Sequence, residues 1–203
     1  MKPDARQRLI GAMTDALQRR GLHGSGLTEL LAAAEAPKGV LYHHFPGGKT
    51  ELAVAAIEAT VLRLCAGLDA ALANGDPGAA LMAWIGGAQK RLDASGYERG
   101  CPLATIALET TSGDGAIRAA LAAGFAAVRE RIAAGLVRAG YAPDGAQAVA
   151  ALLVAAYEGG LLQARVAGSP EPMALVSQAL LTVLALHRPP ESAHAIPSPA
   201  PKN

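Results

Sequence analysis

Within the run KGVLYHHFPGGK stand Lys38, Tyr42, His43 and His44, with Lys49 at its end. These are hydrogen-bonding and cationic groups suited to contact rather than to bond-making. A lysine at 38 can pair with guanine O6 and N7, and His43 with a base acceptor or a phosphate. Val40 offers only apolar contact, such as to a thymine methyl, and Gly39 lets two backbones approach closely. Tyr42, His44, Thr28 and Lys49 are better placed for phosphates, Lys49 because it precedes the first turn of a helix. Catalysis finds no such set. The adjacent histidines lack the i, i+4 spacing of metal ligands, and Gly47–Gly48–Lys49 is a fragment of a phosphate loop with no strand before it. There is no GxSxG motif, and Cys65 and Cys101 form no CxxC pair. The expectation is no enzyme, no catalytic residue, no metal, no cofactor, and two buried free thiols. His23, His187 and His194 read as loop or surface residues.

The elements that must hold the contact residues are short. Residues 27–52 contain one short helix, a break at Pro37 and a second short helix over 38–45, with Leu41 and Phe45 facing inward. Thr28 reads as the N-cap of the first, without the acidic or amide partner of a capping box at Leu31. Ahead of them, residues 4–20 place Leu9, Ile10, Met13 and Leu17 on one face of an amphipathic helix that ends at Gly21. A small helical hairpin that offers a cationic face and rests on an apolar support suits a DNA major groove, the second helix entering it. An ordinary solvated helical hairpin is the alternative reading of the same spacing.

Beyond the turn at 46–48, a helix from about 49 to 73 spans on the order of 35 Å, enough to join a small head to a larger body. Further helices are predicted at 77–93, 103–111, 115–139, 144–167 and 171–187, separated by Gly- and Pro-rich breaks. The chain therefore reads as all-α, with about nine helices and no strand. Residues 1–48 form a helix-turn-helix head, 49–187 a ligand-binding and dimerisation body, and 188–203 a Pro-rich disordered tail. Charge agrees with this division. Residues 1–50 hold seven Lys and Arg against four Asp and Glu, and the remainder eleven against thirteen. No signal peptide and no membrane-spanning run are evident, so a cytoplasmic protein with no membrane partner is expected.

The segment APKGVLYHHFPGGKTEL resembles the signature of TetR/AcrR-type transcriptional regulators. In that family a G-x-x-Y-x-x-F pattern on the recognition helix leads into K-x-x-L. Gly39, Tyr42, His44 and Phe45 match the first part, and Lys49 and Leu52 the second. One extra residue between Phe45 and Lys49, GCPLATIALE at 100–109 and EGGLLQARVAGSPEP at 158–172 resemble the LmrA/YxaF-type subgroup. The resemblance implies a homodimer that binds a palindromic double-stranded operator and is released by a small-molecule inducer. One departure stands out: the family usually has Gly in the turn where this chain has Glu35. A non-Gly residue held left-handed there costs about 1 kcal/mol.

In the body, an apolar pocket for a small apolar or aromatic inducer would be lined by Trp84, Phe125 and Tyr157. Its polar points would come from Glu109, Gln89, Thr105 or Gln163. Plain core packing is the alternative for each, and the exposed face of a short helix for Glu109. The last two helices are rich in small and aliphatic residues. Leu153, Gly160, Leu161, Leu180 and Leu184 are the expected dimer contacts, burial within one monomer being the other reading. The function expected is a ligand-responsive repressor; a helical small-molecule carrier or enzyme with a vestigial head is the alternative.

Overall fold

A computed structural model describes residues 3–73 and 76–188, and the described residues form nine α-helices and no strand. Three helices make the head: α1 (Ala5–Arg20), α2 (Leu27–Ala33) and α3 (Lys38–His44). The long α4 (Gly48–Leu72) leads into α5 (Pro77–Ala94), α6 (Pro102–Ala107), α7 (Gly115–Arg138), α8 (Pro143–Ala167) and α9 (Glu171–Leu186). Residues 189–203, where a disordered tail was expected, lie outside the described part. Arg188 closes it with its guanidinium 3.0 Å from Asp76 Oδ1.

The head forms because each short helix contributes one or two apolar side chains to a shared centre. Leu9, Met13 and Leu17 of α1, Leu30 of α2, and Leu41 and Phe45 of α3 and its cap are all essentially buried. A seven-residue helix is marginal in isolation, so α2 and α3 depend on this packing. Asp4 caps α1 by accepting from Gln7 N at 2.7 Å. Thr28 does not cap α2: Gly26 holds that position, and Thr28 is exposed in the first turn. Leu27 packs against the core and so draws the helix start forward.

The apolar core continues through α4 into the body. Helix α7 lies close against α4 because it turns two glycines toward it. A Cβ at Gly124 would come within 2.6 Å of Val61 Cγ2, and one at Gly135 within 2.7 Å of Leu72 Cδ1. Helix α8 meets α9 in the same way, through Gly160 under the Met173 sulfur.

Here the structure corrects the expected dimer contacts. Leu153, Gly160, Leu161, Leu180 and Leu184 are all buried within the one chain, facing its own core. Both helices have two apolar faces, and the packing of α5, α7 and α9 covers the one that periodicity favoured. The uncovered face carries Leu152, Leu162 and Val166 on α8, with Leu175 and Leu181 on α9, all exposed. Helix α8 is long and apolar enough to cross a membrane by composition, yet its inner face is packed into this body.

Candidate nucleic-acid interface and body cavity

Helix α3 turns Lys38, Gly39, Tyr42 and His43 outward while Leu41 is sealed beneath. A Cβ at Gly39 would meet nothing within 4 Å, so the backbone there is open to close approach. The Lys38 ammonium lies 6.0 Å from the Tyr42 ring centroid, a cation–π contact that lays the lysine along the helix without neutralising it. Val40 is half-buried against the core, which limits what it can offer a base. His44 is also half-buried. Its ring meets His43 edge-on at 5.0 Å and Phe45 at 6.4 Å, so the two histidines touch.

Lys49 departs from expectation. Its ammonium donates to Leu22 O at 2.6 Å, tying the start of α4 to the loop after α1. Burial lowers its pKa from the ordinary lysine value, and the nearby Glu109 carboxylate acts the other way. The charge that was expected on a phosphate serves the joint between the head and α4.

The turn between α2 and α3 runs through Glu35 at φ 48, the left-handed region that the family resemblance implied. Ala36 N donates to Leu31 O at 3.0 Å and Glu35 N to Ala32 O at 3.1 Å, the paired bonds of a Schellman end. Helices α7 and α8 end at Gly140 and Gly168 with φ 92 and 59, where no side chain is strained. Arg8 supports the strained turn from below. Its Nε donates to Ala34 O at 2.9 Å, and Nη2 reaches Glu35 O at 3.4 Å.

The far end of α1 is held by the body. A helix leaves its last carbonyls without intrahelical partners, and cations favour that end. Gln18 O accepts from Gly100 N at 3.2 Å and from Arg165 Nη1 at 3.2 Å, while Arg19 O accepts from Arg165 Nη2 at 2.7 Å. Arg99 Nη2 lies 2.6 Å from Asp15, and Arg19 pairs with both Asp15 and Glu98. Just beyond, Glu109 Oε2 accepts from His23 N and lies against His23 Nδ1, each at 2.8 Å. The same carboxylate lies over Gly21, where a Cβ would come within 1.4 Å of Oε1. Glu109 was expected in a ligand pocket; it sits instead on the joint between head and body. The short α6 ends before it, and its side chain reaches the Gly21–His23 loop after α1 rather than the interior.

A cavity of about 560 Å³ opens between α4, α5 and α8, closed at one end by the loop that carries Arg99 and Gly100. That volume suits a drug-sized ligand. Trp84 and Tyr157 line it as a tilted aromatic pair, ring centroids 4.7 Å apart. Phe125 does not line it and packs half-buried on α7. At the lining, the Cys101 thiol donates to Glu158 Oε1 at 3.1 Å. Burial pushes Cys101 and Tyr157 well above their ordinary ranges and Glu158 up to about 7. The second oxygen of Glu158 and both amide atoms of Gln89 are buried without a protein partner. Thr105 is bonded to Cys101 O, and Gln163 is exposed on α8, so neither points inward. No cluster of three or more metal-ligating side chains occurs among the described residues.

The sequence reading missed Arg8, Gln18, Gly100 and Arg165. Each acts through a backbone group far along the chain, 146 or 147 residues away for Arg165, and no local pattern marks such a partner.

Comparison with known proteins places this geometry. Residues 9–56 match the family described as bacterial regulatory proteins, tetR family. Residues 77–179 match the C-terminal domain of LmrA/YxaF-like transcriptional regulators. An HTH-type transcriptional regulator of Mycobacterium tuberculosis H37Rv, Rv0196, is 30% identical over 195 residues, covering 92% of this chain and 97% of that protein. LmrA of Bacillus subtilis is 26% identical, covering 89% and 97%. A TetR regulatory protein from Rhodobacter sphaeroides superposes with TM-score 0.79 at 27% identity, over 88% of this chain and 98% of that one. With an outward recognition helix on a helical body of this shape, the chain belongs to the TetR family of DNA-binding transcriptional regulators, within its LmrA/YxaF-like group.

Proposed function

We propose that this regulator is a repressor that binds a palindromic operator as a homodimer and is released by a small molecule held in the body cavity. The observation that carries the reading is Gln18. It belongs to α1 of the head, it lines the cavity, and its carbonyl accepts from the loop and from α8, which also bound that cavity. A ligand that displaces the 99–101 loop must therefore disturb the end of α1. Two heads must sit about 34–36 Å apart to reach successive major grooves. A ligand shifts that spacing only by binding one arrangement better than the other. The second copy would cover the exposed α8–α9 face at Leu152, Leu162, Val166, Leu175 and Leu181 rather than the buried residues first expected. Lys38 and His43 would read bases, with Gly39 and Val40 beside them. Thr28, Tyr42 and His44 would touch phosphates, all in the cytoplasm where the DNA lies.

A gel-shift titration against the DNA upstream of its own reading frame tests this. Two chains per site, preference for an inverted repeat and a steep fall of affinity with salt are expected. Binding that ignores sequence would sink it.

A further inference from the structure

Among the described residues that line the body cavity are three arginines, Arg63, Arg91 and Arg99, and no carboxylate. Arg99 is neutralised by its 2.6 Å ion pair with Asp15. The other two have no ion pair among the described residues. Arg63 is steered by the cavity wall: its Nη2 donates to Thr60 Oγ1 at 3.1 Å, and that buried hydroxyl donates in turn to Ala56 O at 2.8 Å. Arg91 is near enough to Tyr157 for its charge to act on the phenol. Glu158 is bonded to the Cys101 thiol at the lining, and burial holds it partly protonated at neutral pH. A cavity with an aromatic wall and two uncompensated guanidinium groups offers a planar apolar contact and a planar, charge-assisted fork.

We propose that the cavity takes an amphipathic organic anion, its aromatic body against Trp84 and Tyr157 and its acidic group, a carboxylate, sulfonate or phosphate, against Arg63 and Arg91. This narrows the purely apolar or aromatic ligand expected from sequence and rests on the reading of the cavity as the inducer site.

Trp84 is the only tryptophan of the chain, so energy transfer from it reports a bound dye, and the arginine variants below assign that dye to the cavity. The test uses the full chain and two matched dyes: 1-anilinonaphthalene-8-sulfonate, and N-phenyl-1-naphthylamine, which keeps the rings and lacks the sulfonate. The sulfonate is expected to bind at least about tenfold more tightly, as one charge-assisted pair would provide. Arg63→Gln with Arg91→Gln should abolish that advantage and leave the neutral dye within about twofold. Arg118→Gln, exposed on α7 away from the cavity, should change neither. Equal affinity for the two dyes, an unchanged sulfonate titration in the double variant, or no transfer from Trp84 to either dye would overturn the proposal. Operator binding by the dye-free protein is measured on the same preparation. Its loss would sink the repressor reading and leave the dye comparison standing.

Discussion

The outer face of α3 and the joint between head and body are both polar, but they are built oppositely. On α3, Lys38, Tyr42 and His43 are exposed, and their contacts are with near neighbours on the same helix. At the joint, Arg165, Glu109 and Lys49 each grip a backbone group 27 to 147 residues away. The first arrangement leaves side chains available to a partner. The second uses them up inside the molecule, where they tie the head to the rest of the chain. A charge near DNA is therefore no guide to its role until its internal partner is known.

Lys38 against Lys49 is the sharpest way to break that contrast. Lys38→Ala is expected to lower specific operator affinity on the order of tenfold or more while stability stays within about 0.5 kcal/mol. Lys49→Ala should do the reverse, lowering the melting temperature through the lost bond to Leu22 O and leaving the salt slope of DNA binding unchanged. A flattened slope for Lys49→Ala would return that residue to the phosphate backbone.

Arg165→Met removes two charge-assisted bonds to the end of α1 and should destabilise by about 2 kcal/mol. Thermal unfolding should fall by roughly 4–8 °C. Operator binding should persist, while release by a cavity ligand weakens, because the link from α8 to Gln18 and Arg19 is cut. Unimpaired release would place the coupling elsewhere.

A smaller effect is expected from pH. Glu158 titrates near its ordinary 4.5 in the unfolded chain and near 7 in the fold, so the folded state binds the extra proton between those values. The stability it contributes is complete below about 4.5 and is lost as pH rises through about 7. Glu158→Gln should remove that decline from melting curves taken across pH 5–8. A decline that survives the substitution would assign it to another group.

Least of all, Glu35→Gly should raise stability by up to about 1 kcal/mol, since the φ of 48 is free of strain for glycine. A loss instead would mean that the glutamate side chain itself holds the turn.

The nine helices of the described residues were legible in the sequence to within a few residues, because apolar spacing, proline and glycine act over single turns. The longest disagreement was α6, which stops at Ala107 rather than near 111. The outward face of α3 was legible for the same reason: Leu41 and Phe45 define its inside by spacing alone. Trp84 and Tyr157 were found because large aromatics are rare in this chain, yet Phe125, chosen on the same ground, lies off the cavity.

What the sequence determined by itself is thus the set of helices and the outward face of α3, matters of neighbours within a few residues, while the strained turn at Glu35 was legible only through the family resemblance. Only the tertiary structure decided that Lys49 turns inward and that Glu109 belongs to the joint. It also decided that Leu153, Gly160, Leu161, Leu180 and Leu184 face their own chain. The physical reason is that periodicity gives each helix its apolar faces without saying which one is covered. The partners that satisfy helix-end carbonyls and buried charges come from whichever elements the packed core brings beside them.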